Sequence, residues 1–591
     1  MRKLVLALGL LLPVLSSAQE TDSNTTLLSD FLDHLTGSLE TNAQWYSNDT
    51  KLGPFEDPYA PFEVRNEQFR ANSYLRLDYR FLKHFTVGLQ IESYEPLPLI
   101  NYYPEYNDTR IATYYANYRN EKLDVTAGYF YEQFGNGLLL RAFEERQLGL
   151  NTALRGGRVK YSPTNFMNIT ALYGQQRIGF NVSDSDIYGV DAHINLKDAL
   201  KIDKLSSLNL GASYVGKRED FSPSNTFDTS GFPEMINSYA ARLDADFGKF
   251  YFKTEYAIKG KDVTYIPEGL AGSGNINEGH YFDGNALLFN VGYTKKGLGI
   301  ASTFRRLENM LFTAERAAMS INSLEYKYNM QSMNYLPSLT KQQDYALANI
   351  YIYNPQPNLF IKDFGGQAGE IGNTMDFFYK FKRGTALGGK YGTKLTVNFS
   401  YWALLDAKFN ESESTYSAEF LKFGKRLNRD INFEIRKKFS TKWSSIFTYI
   451  NTITDKGVSL GGPLGVQGDI HAQIGVVDIT HKLNKGKSVR IEAQHLWTDK
   501  DRKNWVGGTL EFVANSNLAF YVNDIYDYGN DNEFSTEQKA HYYNVGGSFT
   551  KGATRVALNY GRQRGGLLCI GGVCRIVPEN TGLTINLTTS F

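Results

Sequence analysis

After its first eighteen residues the chain has no long apolar run. From Gln19 onward nothing approaches the roughly 18 consecutive apolar residues of a membrane helix, and mean hydropathy is −0.38, so helical spans are excluded. An excess of charge of one sign is missing too. Lys and Arg number 63 against 62 Asp and Glu, a formal net charge of +1, which gives nucleic acid no electrostatic footprint to bind, and no nucleic-acid partner is expected. Histidine is scarce: the eight are His34, His84, His193, His280, His471, His481, His495 and His541, scattered along the chain. There is no G-x-S-x-G, no H-E-x-x-H and no phosphate loop, so the convergent nucleophile, base and orienting acid of an enzyme are not in view. His471 and His481 fall on one apparent strand and His495 on the next, a placement read as coincidence. No catalytic residue, metal ligand or cofactor is expected.

Cysteine is nearly absent. The two present, Cys569 and Cys574, lie five residues apart, and a disulfide pinning one loop tip is expected for an exported chain. Two free thiols are the alternative. A metal site is disfavoured because no His lies between them to complete it.

What the chain does have is aromatic side chains and alternation. Tyr 40 and Phe 38 supply nearly all of the 14% aromatic content, as suits rings at two membrane interfaces. In the last segment, Thr581 to Phe591, Leu583, Ile585, Leu587 and Phe591 fall on one face and Gly582, Thr584, Asn586 and Ser590 on the other. A period-two apolar face of about ten residues with a terminal aromatic matches the closing strand of an outer-membrane barrel, and it is read as the signal presented to the barrel assembly machinery. At the other end Arg2 and Lys3, the apolar run Leu4 to Leu15 and Ser16-Ser17-Ala18 have the form of a cleaved export leader, residues 1–18. Together these place the chain in the outer membrane of a Gram-negative bacterium, with outer-membrane lipid and lipopolysaccharide as its surroundings.

The repeating unit is strand, short polar turn, strand, longer polar loop. Phe85, Val87, Leu89 and Ile91, then Tyr239, Ala241, Leu243 and Ala245, then Val489, Ile491 and Ala493, mark three of the strands. Tight turns are expected at Phe81–His84, Arg119–Lys122, Ser162–Asn165, Phe247–Phe250, Thr294–Gly297, Asn515–Asn517 and Lys551–Ala553. About eleven such sites imply an all-β, single antiparallel transmembrane barrel of about 24 strands, within a range of about 20 to 26, with short periplasmic turns and long extracellular loops. The barrel is placed at residues 37–591, after a short periplasmic segment at 19–36 that leaves no room for an N-terminal plug domain of about a hundred residues. Residues 307–369 read as a long loop or an extra hairpin.

Strand positions that alternate with the apolar ones carry both signs: Arg76, Asp78 and Arg80; Arg242, Asp244 and Asp246; Lys253 and Glu255; Glu434 and Arg436; Arg490 and Glu492. A lumen faced this way is wet, and its charges either stack as ion-pair ladders that stiffen the wall or serve passage. One segment, residues 131–158, is too apolar and too charged for an ordinary external loop. It is expected to fold inward as a constriction, setting Arg141, Glu144, Glu145 and Arg146 across the lumen from Arg155 and Arg158. Gly135, Gly137, Gly149, Gly156 and Gly157 supply the tight backbone. Alternatively Leu138, Leu139, Leu140 and Phe143 pack as a small internal plug that the charges fasten.

The stretch GYFYEQFGNGLLLRAFEERQLGLNTALRGGRVKY at Gly128 to Tyr161, with YIYNPQPN at Tyr351 to Asn358, resembles a poorly characterised family of Bacteroidota outer-membrane β-barrel proteins. The resemblance implies a porin-like protein and brings no substrate or catalytic residue with it. The expected function is a pore for passive diffusion of small hydrophilic solutes. The alternative is a closed accessory subunit of an assembly or secretion complex, with aromatic outer loops such as Tyr94 to Tyr106 gripping other outer-membrane proteins.

Overall fold

The computed structural model describes residues 32–58, 60, 62–99, 106, 108–202, 205–220, 233–263, 281–315, 332–357, 368–410, 415–459, 468–484, 486–531, 539–571 and 573–591. The export leader proposed for residues 1–18 lies outside them.

Neighbouring strands pair antiparallel around a closed sheet of 24 wall strands; a further two-residue strand, Asn181–Val182, only extends the edge of Met167–Ile178. The wall begins at Leu35–Tyr46 and ends at Asn580–Ser590, and these two pair in register from Ser38↔Ser590 to Tyr46↔Gly582. Closure leaves no edge unpaired among these wall strands, which is the condition for carrying a sheet through lipid. Period-two alternation decides which face each residue takes. In the strand Trp505–Val513, Val506, Leu510 and Phe512 stand on the outside, while Trp505 is fully buried on the inside. Val477, Ile479, Ile491, Val522, Val545, Leu558, Leu583 and Ile585 continue the same exposed apolar belt.

Aromatic pairs rim this belt at both ends. At the short-turn end Phe85 packs on Phe81 and Tyr118 and Phe250 packs on Tyr293. Toward the long-loop end Tyr173 meets Tyr188 and Tyr214 meets Tyr239, both at 5.4 Å. Rings that are apolar on their faces and polar at the hydroxyl suit a boundary of that kind.

The connections alternate as expected, with turns such as 82–84, 120–122, 247–249 and 552–553 at one end and long loops at the other. One turn-side link holds a short helix, Leu196–Leu200, capped by Asn195. Between the wall strands Leu298–Glu308 and Gly369–Phe381, which pair directly, the described part of residues 309–368 adds no strand to the wall, and an isolated antiparallel bridge joins Thr313 to Ser332. The outer loop after Phe85–Ser93 is also drawn in: Tyr94 and Tyr106 are buried with Tyr74 and Ile178, so these two rings are not available to grip a partner.

Candidate functional site

Two loops fold into the barrel and meet there. The first, residues 131–153, doubles back with positive φ at Gly135, Gly137 and Gly149 (52°, 85° and 62°), a backbone region where a side chain is strained. A Cβ at Gly135 would stand 2.7 Å from both carboxylate oxygens of Glu255 on the wall and would push that side chain aside. Gly156 and Gly157, by contrast, are residues of the wall strand Leu154–Thr164 and form no part of the turn. Phe134, Leu138, Leu139 and Leu140 are almost fully buried against Leu172, Ile187, Val215, Ile236, Ala257 and Ala286 of the wall, and against Met310, Phe312 and Met333 of the second loop. The apolar part of the segment is thus an internal plug.

The second loop is a strap. Arg141 N–H donates to Met333 O and Tyr335 N–H donates to Gly137 O, joining strap to plug. Farther along, Tyr345, Leu347 and Tyr351 pack on a different part of the wall with Ile450, Ile474, Leu496 and Trp505. Tyr353 lies on Trp402 and donates from its hydroxyl to Glu370, which also takes Arg305 at 2.7 Å. The disulfide of Cys569 and Cys574 closes the tip of a hairpin, Gly566–Ile570 with Val573–Val577. That hairpin reaches the strap where Tyr335 Oη donates to Gly571 O.

The six residues expected at a constriction divide into separate places. Arg146 and Glu144 come together: Arg146 Nη1 donates to Glu40 at 2.7 Å, its Nε lies 3.2 Å from Glu144, and its guanidinium covers the Tyr74 ring at 4.5 Å. Burial alone would lower the Arg146 value, but the two carboxylates raise it above its ordinary level. Glu145 accepts from Gln147 N–H and caps a single 3-10 turn, Arg146–Leu148. Arg141 lies 3.5 Å over the Tyr335 ring and stays apart from Arg146. Arg158 is on the inner face and donates to Asp124, Thr126 and Glu132. Arg155 is the exception. It shares the outward face with exposed Val159 and Tyr161 and bonds Gln175 of the adjacent strand, so it does not look across the lumen.

Below the plug the wall stays polar. Arg76 pairs with Asp78 at 2.8 Å, Tyr115 donates to Asp78, and Arg158 bonds Asp124, around a cavity of about 440 Å³. Elsewhere Arg242 bonds Asp191, Arg436 bonds Glu434, and Arg490 bonds Asp478, Glu492 and Glu511. Of the inward charges predicted from alternation, Arg76, Asp78, Arg242, Glu434, Arg436, Arg490 and Glu492 are thus ion-paired, while Glu255 instead accepts from the Asn136 backbone and side chain.

Sequence reasoning passed over the strap residues Tyr345, Tyr351 and Tyr353 and the wall amides Asn398, Asn428 and Asn432. Spacing held a signal only for the amides, since Asn428, Asp430 and Asn432 alternate on one strand face. Among the described residues no group of three His, Cys, Asp or Glu side chains is placed to hold a metal ion. No described helix is long and apolar enough to cross a membrane.

No curated protein matches the chain. Among solved structures it is similar to the siderophore receptor PirA of Pseudomonas aeruginosa, at 8% identity and a TM-score of 0.39 over 94% of this chain and 80% of that one. It is similar to the P pilus usher PapC translocation pore at 8% identity and 0.39, over 94% and 99%. It is also similar to OccK3 of Pseudomonas aeruginosa at 10% identity and 0.33, over 96% and 99%. These are distant likenesses of barrel architecture, from which no activity follows. The family model for DUF6029, a family of unknown function, matches residues 1–591, and the chain belongs to that family.

Proposed function

We propose that this protein is an outer-membrane channel for small hydrophilic solutes in a Gram-negative bacterium, of the Bacteroidota on the sequence resemblance, without enzymatic activity. The supporting observation is the polar cavity left between the plug and the charged wall at Arg76, Asp78, Asp124 and Arg158. An empty barrel of this strand number would leak. Here plug and strap occupy the lumen, so the remaining path is narrow and hydrated, and paired charges along it filter solutes by size and dipole. Lipid and lipopolysaccharide surround the apolar belt, and the strand with Leu583, Ile585, Leu587 and Phe591 is the segment the assembly machinery receives.

Single-channel recording in a planar bilayer tests the reading. Discrete steps are expected, with a reversal potential that moves toward anion selectivity when Asp78 and Asp124 are changed to Asn, and when Glu144 and Glu145 are changed to Lys. One observation favours a second reading. The strap buries Tyr345, Leu347 and Tyr351 against the wall, and a lumen sealed in this way belongs to an accessory subunit of an assembly or secretion complex. Electrical silence from folded protein would select it.

A further inference from the structure

The inner wall is not uniform. Where Arg76, Asp78, Asp124 and Arg158 face the lumen its chemistry is ionic, but around Asn428 and Asn432 on the strand Thr415–Lys438 amides and hydroxyls gather, with Asn398, Thr452 and Thr454 on the neighbouring strands and the Asp430 carboxylate between. Asn428 and Asn432 stand on that inner face, with Thr452 and Thr454 on the paired strand Trp443–Asp455. The strap covers this sector, and between strap and wall lies a cavity of about 360 Å³ with Tyr351, Tyr353 and Gln343 on the strap side and Asn428, Asp430 and Thr452 on the wall side. The tip of the disulfide hairpin, Cys569 to Gly571, borders it. Its size lies within the range of about 300 to 1,000 Å³ usual for small-molecule sites.

The hydrogen bonding of this cavity is incomplete. Asn428 is only 2% exposed, and its Nδ2 donates to Thr454 Oγ1 while its Oδ1 has no hydrogen-bond partner among the described residues. Turning the amide over exchanges the two atoms and still leaves one unmatched. A buried polar atom of this kind calls for a partner that the protein itself does not supply. Beside it Asp430 Oδ1 accepts from Asn432 Nδ2, and Asn432 Oδ1 accepts from Gln343 of the strap. Such a surface offers both donors and acceptors at close spacing. The charges at its edge, Lys341 and Asp344 with Asp430, are of mixed sign and form no single-sign patch.

A ligand matched to this lining has many hydroxyls, each able to donate and accept, and little or no net charge. We propose that the cavity is a binding site for neutral saccharides, held by the amides of Asn428, Asn432 and Gln343 and the Asp430 carboxylate, with Tyr351 and Tyr353 at its border. The proposal rests on the channel reading for its meaning, as the selectivity site along the path. It can be tested without any passage of solute.

Full-length protein extracted in detergent is titrated calorimetrically with glucose, sucrose and maltotriose, and with arginine and glutamate as charged probes. Saturable binding of at least one saccharide is expected. Asn428→Leu, close in shape, should weaken it about tenfold, or about 1.4 kcal/mol. Ala348→Trp, on the strap, fills the cavity without altering a wall strand and should abolish it. A heat-modifiable shift, with the unheated folded barrel running ahead of the boiled chain on SDS gels, establishes that each variant is folded. Absence of saturable binding to all three saccharides, tighter binding of arginine or glutamate, or binding untouched by both substitutions overturns the proposal. Saccharide binding by a protein that conducts no current would refute the channel and leave the site standing; conductance without binding does the reverse.

Discussion

Asp49 ties the long-loop end of the barrel seam together. It accepts from Arg562 Nη2 and Thr581 Oγ1, both at 2.6 Å, and from the Lys51 and Leu52 backbones. Burial pushes its carboxyl upward, but these donors outweigh burial and hold it at about 2, below the ordinary 3.8. A depressed carboxyl stabilises the fold fully above its unfolded value, and that stabilisation is lost as the pH falls from 3.8 through about 2. Urea midpoints taken across this window should drop in the native protein and drop less in Asp49→Asn; equal slopes would remove Asp49 from the acid response. Glu315 has the opposite sign. Burial raises it to about 7 although the Asp184 backbone N–H bonds it, so its contribution declines as the pH rises from 4.5 to about 7. A different kind of contact joins Arg177 and Glu92, which are fully buried and meet through two bonds of 2.8 and 2.6 Å. Arg177→Met alone leaves a buried carboxylate and should cost about 3 to 5 kcal/mol in urea unfolding, whereas Arg177→Met with Glu92→Met should recover most of it. A double variant as unstable as the single one would contradict this account.

Wall strands were readable from sequence because a half-buried strand writes its environment every second residue, as in Val506, Leu510 and Phe512 outside with Thr509 and Glu511 inside. The turns were readable for the same local reason. The same rule also contained the error at Arg155, which is in step with apolar Val159 and Tyr161 and out of step with Arg158 and Lys160. The strap was not readable as a strap. Its contacts join residues far apart in the chain, such as Leu347 N–H with Gln494 and Tyr351 with Asp501, and nothing periodic announces such pairs. The inward fold of 131–153 was visible only as composition, three consecutive leucines in a loop, which foretold burial but not the partners Met310, Phe312 and Met333. Because those leucines hold plug and strap together, Leu139→Asp should release both. A buried carboxylate in that cluster costs far more than the lost apolar contact alone, and single-channel conductance should rise well above the native level while the barrel itself remains folded. Unchanged conductance would mean that the plug is not what limits the path.

Around the described barrel, one sheet separates an apolar exterior from an interior that is polar except where plug and strap pack on it. The two faces must then respond oppositely to the same chemical change at adjacent positions. Leu510 is 44% exposed in the outer belt, while Thr509 faces the lumen and its hydroxyl donates to Glu492. Leu510→Arg in protein folded into phospholipid vesicles sets a guanidinium against hydrocarbon near mid-strand and should destabilise by about 2 to 4 kcal/mol. Thr509→Arg places the same group beside the Glu492 and Glu511 carboxylates, where it has water and partners, and should change stability by less than about 1 kcal/mol. The comparison cancels the size of the side chain and the strand position, leaving the solvent on each face as the variable. In detergent-free aqueous polymer, where no hydrocarbon surrounds the belt, the difference between the two variants should shrink. Equal costs in vesicles would mean that the outer face is not facing lipid, and the membrane reading of the barrel would fall with it.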